Sequence, residues 1–172
     1  PAIPRWLGAG VPMSSELAQR IFHFRVQAGE VLRDGRDALQ RWLGAEYHLE
    51  KVACDDLIEF LMQQETVSAI PRPDALLIEA VAMQSCCECF VHTPLPPPAN
   101  DALARVLCHR WKSARRKDVL ALPADLGIYV LIPDVDDIAL AEWYTGFAPQ
   151  QFVEDWRRHL ASSELLPQAF AR

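Results

Sequence analysis

Along the first part of the chain, apolar residues return at alternating steps of four and three: Leu17, Ile21, Phe24, Ala28, Val31, Gly35, Ala38 and Trp42. That spacing is the mark of a helix with a single apolar stripe. Ser14 or Ser15 can cap its start and Gly44 its end, whereas Asp34-Gly35 is a turn signal that would divide it. Because the stripe continues through Gly35, one long helix with room for a kink is expected. A second helix is predicted from about His48 to Glu65, burying Leu49, Val52, Ala53, Leu57, Phe60 and Leu61. Thr66 to Pro73 breaks it. Pro73 and Asp74 then open a segment that is apolar on nearly every face as far as Val91, with Gln84, Glu88 and His92 as a thin polar line. It reads as a third helix, central and the most buried.

Pro94, Pro96, Pro97 and Pro98 form a stiff, extended linker. Asn100 caps a fourth helix reaching to about Leu122, where Pro123 ends it. The IYVLI run between Gly127 and Pro133 is the one convincing strand. A lone strand is not stable, so it either pairs with Thr66 to Ile70 or lies extended across helices. Asp134 to Tyr144 and Pro149 to Ser162 read as two closing helices, with Trp143, Tyr144, Phe147, Phe152 and Trp156 concentrated between them. The expected fold is mainly α, a compact multi-helix bundle with at most one short strand or β-pair. The expected organisation is an extended N-terminal segment over 1–13, a single helical domain over 14–162 with a proline-rich linker at 93–99, and a C-terminal tail over 163–172.

With 172 residues, 51% of them hydrophobic and 23% charged, the chain has the apolar material for one packed domain and is not a disordered tail. Seventeen basic against twenty-three acidic side chains leave a net charge of -6, which repels phosphate backbones and anionic lipid. Nucleic acid is therefore disfavoured as a partner. The longest apolar candidate for a membrane span, Asp74 to Val91, carries Asp74, Glu79 and Glu88, so no membrane partner is expected. Cys54, Cys86, Cys87, Cys89 and Cys108 are odd in number and three of them fall within four residues, which suits reduced thiols and a cytoplasmic setting.

Cys86 and Cys89 have the C-x-x-C spacing of thiolate ligands, with His92 three residues on and Cys108 beyond the prolines; together they are the candidate zinc set. On an ideal helix these positions drift apart, so buried thiols in a central helix are the competing reading. His48-Leu49-Glu50 ahead of this cluster resembles the H-x-E and P-C-x-x-C motifs of the zinc nucleobase deaminases, in which the glutamate moves protons while His and Cys hold zinc. The likeness stops at those positions, and Ser85 stands where that family has proline. In the plainer reading, His48 and Glu50 are exposed first-turn residues of the second helix. Asp134, Asp136 and Asp137 follow the strand, where carboxylates can hold magnesium, but capping the next helix accounts for them more simply.

The helix from Arg105 to Lys117 places Arg105, His109, Lys112 and Arg116 on one stripe, with Arg110, Arg115 and Lys117 beside it. Such a face docks an acidic protein partner, binds nucleic acid, or is plain solvated surface. The chain has no G-x-S-x-G, H-E-x-x-H, G-x-x-x-x-G-K-[ST] or G-x-G-x-x-G. By subtraction it reads as a non-catalytic, protein-binding adaptor, chaperone, inhibitor or regulatory subunit without a cofactor. The basic stripe would be its docking face, and Trp6, Trp156 and Phe170 its further anchors. The competing readings are a zinc protein through Cys86, Cys89, Cys108 and His92, and a DNA-binding regulator through residues 105–117. The open edge of the single strand leaves room for a homodimer.

Overall fold

A computed structural model describes residues 13–115, 119–133 and 145–162. The N-terminal stripe is two helices, α1 (Ser15–Leu32) and α2 (Arg36–Tyr47), with Ser14 Oγ accepting the N–H of Leu17 at the first cap. Asp34-Gly35 does divide them: Gly35 has φ of 106°, a value open to glycine and strained for other residues. The stripe continues through the break because α1 and α2 both turn apolar residues, Ala28 and then Leu39 and Leu43, into one cluster. The second predicted helix is present as α3 (Lys51–Val67). Ala28, Leu39, Leu43, Cys54, Ile58 and Leu61 form the buried centre of this three-helix unit.

The predicted third helix is instead a β-hairpin, and the mainly α bundle gives way to a four-stranded antiparallel sheet. Strands β1 (Leu77–Ala82), β2 (Cys86–His92), β3 (Leu120–Ala124) and β4 (Gly127–Pro133) lie in the order β1-β2-β4-β3. The IYVLI run is β4, and its partners are β2 and β3, not Thr66 to Ile70, which lie in and after the end of α3. Along β2 burial alternates: Cys87, Cys89 and Val91 are buried, while Cys86, Glu88, Phe90 and His92 are half-buried on the other face. Such a period of two belongs to a strand covered more completely on one face.

The helix that covers it is α4 (Pro97–Arg115), which places Ala104, Leu107 and Trp111 against Cys89, Val91, Val119, Ile128, Val130 and Ile132. Pro97 and Pro98 lie in its first turn, where a missing N–H costs nothing. Asn100 is not its cap. Its side chain is fully buried, bonded to the Thr93 hydroxyl, and its amide donates to the carbonyls of Leu95 (3.1 Å) and Ala124 (3.0 Å). It thereby ties the start of α4 to the β3–β4 turn. A closing helix α5 (Phe152–Ser162) packs on α4. The other predicted closing helix, Asp134 to Tyr144, lies outside the described residues, as do Trp6 and Phe170.

The helical unit meets the sheet through polar groups. Gln64 Nε2 donates to Glu79 Oε1 (2.7 Å), and Glu79 Oε2 pairs with His92 Nε2 (2.9 Å). Burial pushes the Glu79 carboxyl up, but hydrogen bonds with His92, Ser68 and Gln64 outweigh it and hold the group below the usual carboxylate range.

Candidate nucleic-acid interface

Leu107 and Trp111 turn one side of α4 into the sheet, and the opposite side is shared between solvent and α5. The predicted basic stripe is therefore partly covered. Arg105 pairs with Asp101 one turn earlier (2.8 Å), and the His109 ring lies edge-on to His159 of α5 with centroids 6.5 Å apart. Burial first, then the nearby Arg105 and His109, press His159 below the ordinary imidazole range. Lys112 is exposed. The side chains of Arg115, Arg116 and Lys117 lie outside the described residues.

Arg110 has left the surface stripe for the α4–α5 junction, where its whole donor fork is used. Nε donates to Asp155 Oδ2 (2.8 Å), Nη1 to the carbonyls of Gly146 (2.9 Å) and Ala148 (2.6 Å), and Nη2 to that of Gln150 (2.7 Å). Only 13% of the Arg110 side chain and 12% of that of Asp155 are exposed. A planar guanidinium satisfies this many fixed acceptors where an ammonium cannot. Asp155 was not legible as its partner, because it stands 45 residues away in the chain.

Beside this clamp runs a groove of about 640 Å3, lined among others by His109, Ser113, Thr145, Gln151 and Arg158. Along α4 and α5 together six Arg and Lys face three acidic side chains, a local excess of positive charge on a chain whose net charge is -6. Imidazole, hydroxyl, amide and guanidinium groups are donors suited to phosphate oxygens.

The predicted zinc set does not come together. Being three residues apart in a strand, Cys86 and Cys89 lie on opposite faces, and His92 shares the face of Cys86 but pairs with Glu79. Cys108 is on α4, its thiol donating to the Val119 carbonyl (3.3 Å). Burial raises the Cys108 thiol, and burial with the neighbouring Cys87, whose sulfur is 3.6 Å away, pushes Cys89 up to about 12. Thiols held neutral are poor metal ligands. His48 is the left-handed end of α2 and Glu50 precedes α3, so the deaminase-like spacing joins residues of separate units. Among the described residues no three His, Cys, Asp or Glu side chains gather as a metal set. Excess chelator should accordingly leave the urea unfolding midpoint unmoved; a fall in the midpoint on adding chelator would mean that metal supports the fold.

The described residues thus form a three-helix unit joined to a helix-covered four-stranded antiparallel sheet, with a basic groove between α4 and α5. The chain belongs to the DEAD/H associated family, whose model matches residues 70–172. Over 170 residues it is 26% identical to the ATP-dependent helicase Lhr-Core protein 2 of Thermococcus barophilus, a match covering 99% of this chain and 20% of that protein. A structure of the Mycobacterium smegmatis helicase Lhr bound to single-stranded DNA and AMP-PNP shares the fold. The TM-score is 0.74 at 21% identity, over 99% of this chain and 21% of that one. The chain thus spans about a fifth of the length of the relatives it matches.

These findings overturn two expectations. The reading as a free-standing adaptor or regulatory subunit gives way to membership of a helicase-associated family. The expectation that nucleic acid is an unlikely partner, drawn chiefly from net charge, no longer stands, because charge summed over the whole chain hides the cationic balance of α4 and α5 and the family is a helicase-associated one. No helix among the described residues is long and apolar enough to cross a membrane.

Proposed function

We propose that this chain is a nucleic-acid-handling domain of a larger ATP-dependent helicase, holding a strand while nucleotide hydrolysis takes place elsewhere in the polypeptide. The observation that carries it is the match over nearly the whole chain to one fifth of a helicase. The α4–α5 groove supports it as the place of backbone contact, with His109 and Arg158 of its lining and Lys112, exposed on the same helix, reaching phosphates and Arg110 holding the groove's wall. Arg105, paired with Asp101, adds little net charge to it. Free cysteines throughout fit a reducing, cytoplasmic setting.

The test is binding of a labelled single-stranded oligonucleotide, followed by fluorescence anisotropy over a range of salt. Each phosphate contact adds roughly 0.7 to the slope of log affinity against log salt. Converting Lys112 and Arg158 together to Glu should weaken binding and flatten that slope by about 1.4. A chain that binds no strand even at low salt, or a double variant with an unchanged slope, would refute the reading.

A further inference from the structure

A second groove lies on the helical unit, away from α4 and α5, at the open side of α1. It has a volume of about 490 Å3 and is lined by Arg20, Ile21, His23, Phe24, Gln27 and Tyr47. Its floor is aromatic. Phe24 stacks on Trp42 with centroids 5.9 Å apart at 22°, and Tyr47 meets both rings edge-on, at 5.1 Å from Phe24 and 5.2 Å from Trp42. Phe24 and Trp42 pack on the core of the unit and are held by it, whereas Tyr47, at the end of α2, is 42% exposed.

The rim is polar. Arg20 pairs with Glu16 at 2.8 Å, but both side chains are about three-quarters exposed, so the pair is weak and its guanidinium exchanges readily onto a phosphate. His23 Nδ1 donates to the Gln19 carbonyl (2.9 Å), which leaves Nε2 as an acceptor for an N–H of a ligand. Gln27 offers an amide with both a donor and an acceptor. No carboxylate lines this groove, in contrast to the α4–α5 groove, where Asp155 is part of the wall.

We infer that the Phe24–Trp42–Tyr47 groove takes an unpaired base of a nucleic-acid strand, the base lying against the Tyr47 and Phe24 rings with an N–H toward His23 Nε2 and a neighbouring phosphate toward Arg20. The inference rests on the nucleic-acid reading above and adds to it a second site of different chemistry. The α4–α5 groove offers charge to the backbone. This one offers fixed rings to a π-face, which every base has and which a duplex keeps covered. Size and chemistry favour this occupant: the groove is large enough for a nucleotide, its walls carry exposed ring surface, and its rim carries the Arg20 guanidinium, whose solvent-exposed pair with Glu16 a phosphate would displace.

The experiment is titration of the full chain with a short oligothymidylate and with a duplex of the same length. Tyr47→Ala should bind the single strand roughly tenfold more weakly, the usual loss of one base–ring stack, while the slope against salt stays that of the unaltered chain. Tyr47→Phe, which keeps the ring, should bind like the unaltered chain, and the duplex should not sense either change. Arg20→Glu, far from the core, serves as a second probe that cannot act through unfolding; it should weaken binding and flatten the slope. Unaltered single-strand affinity in Tyr47→Ala and Arg20→Glu would overturn the inference. If the α4–α5 double variant alone lost affinity, this groove would fall and the nucleic-acid reading would stand. If the unaltered chain bound no strand, both would fall.

Discussion

Arg110→Ala should lower the unfolding free energy of the chain by about 3 to 5 kcal/mol, the cost of removing one partner from a buried ion pair. The substitution leaves the Asp155 carboxylate without its cation at a site where 12% of that side chain is exposed. It also strips the donors from the carbonyls of Gly146, Ala148 and Gln150. Arg110→Lys should recover only part of the loss, because an ammonium cannot reach four acceptors spread around a planar fork. Urea unfolding followed by circular dichroism measures both. A loss below about 1 kcal/mol for Arg110→Ala, the range of an exposed pair, would show that the junction is open to water. Restoring charge balance with Arg110→Ala and Asp155→Ala together should recover stability relative to the single change, since the stranded carboxylate goes with its partner.

Asn100→Ala should cost nearly as much, roughly 2 to 4 kcal/mol, although the site carries no charge. Its amide is the donor to Leu95 and Ala124, and its carbonyl oxygen is the acceptor for the Thr93 hydroxyl. Asn100 is 0% and Thr93 3% exposed, and Leu95 and Ala124 are half-buried, so the side-chain pair at the centre of the bridge is shielded from water. Deleting the side chain strands polar groups in three segments at once and leaves a small void. Asn100→Asp is the sharper control: it keeps shape and the acceptor but cannot donate to either carbonyl, so it should be no better than alanine. If Asn100→Ala unfolded at the same urea concentration as the unaltered chain, the bridge would not hold α4 to the β3–β4 turn.

How far these features were legible from the sequence depended on whether a spacing had one meaning or two. Gln84, Glu88 and His92 are four apart. A step of four is nearly one helical turn and also two full periods of a strand, so the same polar line fits a helix face and a sheet face. What separates the two is the alternation at odd and even positions, Cys87, Cys89 and Val91 against Cys86, Glu88, Phe90 and His92. It was masked because the outer face is itself partly apolar. Once the helix was assumed, the only strand left was β4, and its real partners had been spent. The α1–α2 break shows the opposite case: Asp34-Gly35 announced it, and the continuous stripe argued against it only because two successive helices can share one cluster.

The sites divided in the same way. The basic residues of α4 could be read from spacing, but which of them faces solvent could not. That is decided by Asp155 and by the backbone of residues 146–150, remote in sequence. Phe24 and Trp42 were visible as members of one stripe, whereas Tyr47, which opens the aromatic cluster to solvent, fell outside the repeat. The cysteines were conspicuous and uninformative, because C-x-x-C gathers ligands in a loop and separates them in a strand.

The two apolar clusters share no buried residue: one is made by α1, α2 and α3, the other by the sheet and α4. Substitutions that enlarge or shrink a side chain in one therefore call for no compensating change in the other, and each is free to drift at its own pace. The model of the family begins at residue 70, at that seam. Gln64 and Ser68 cross it to Glu79, which in turn holds His92, so these are positions at which the histories of the two units have to be written together.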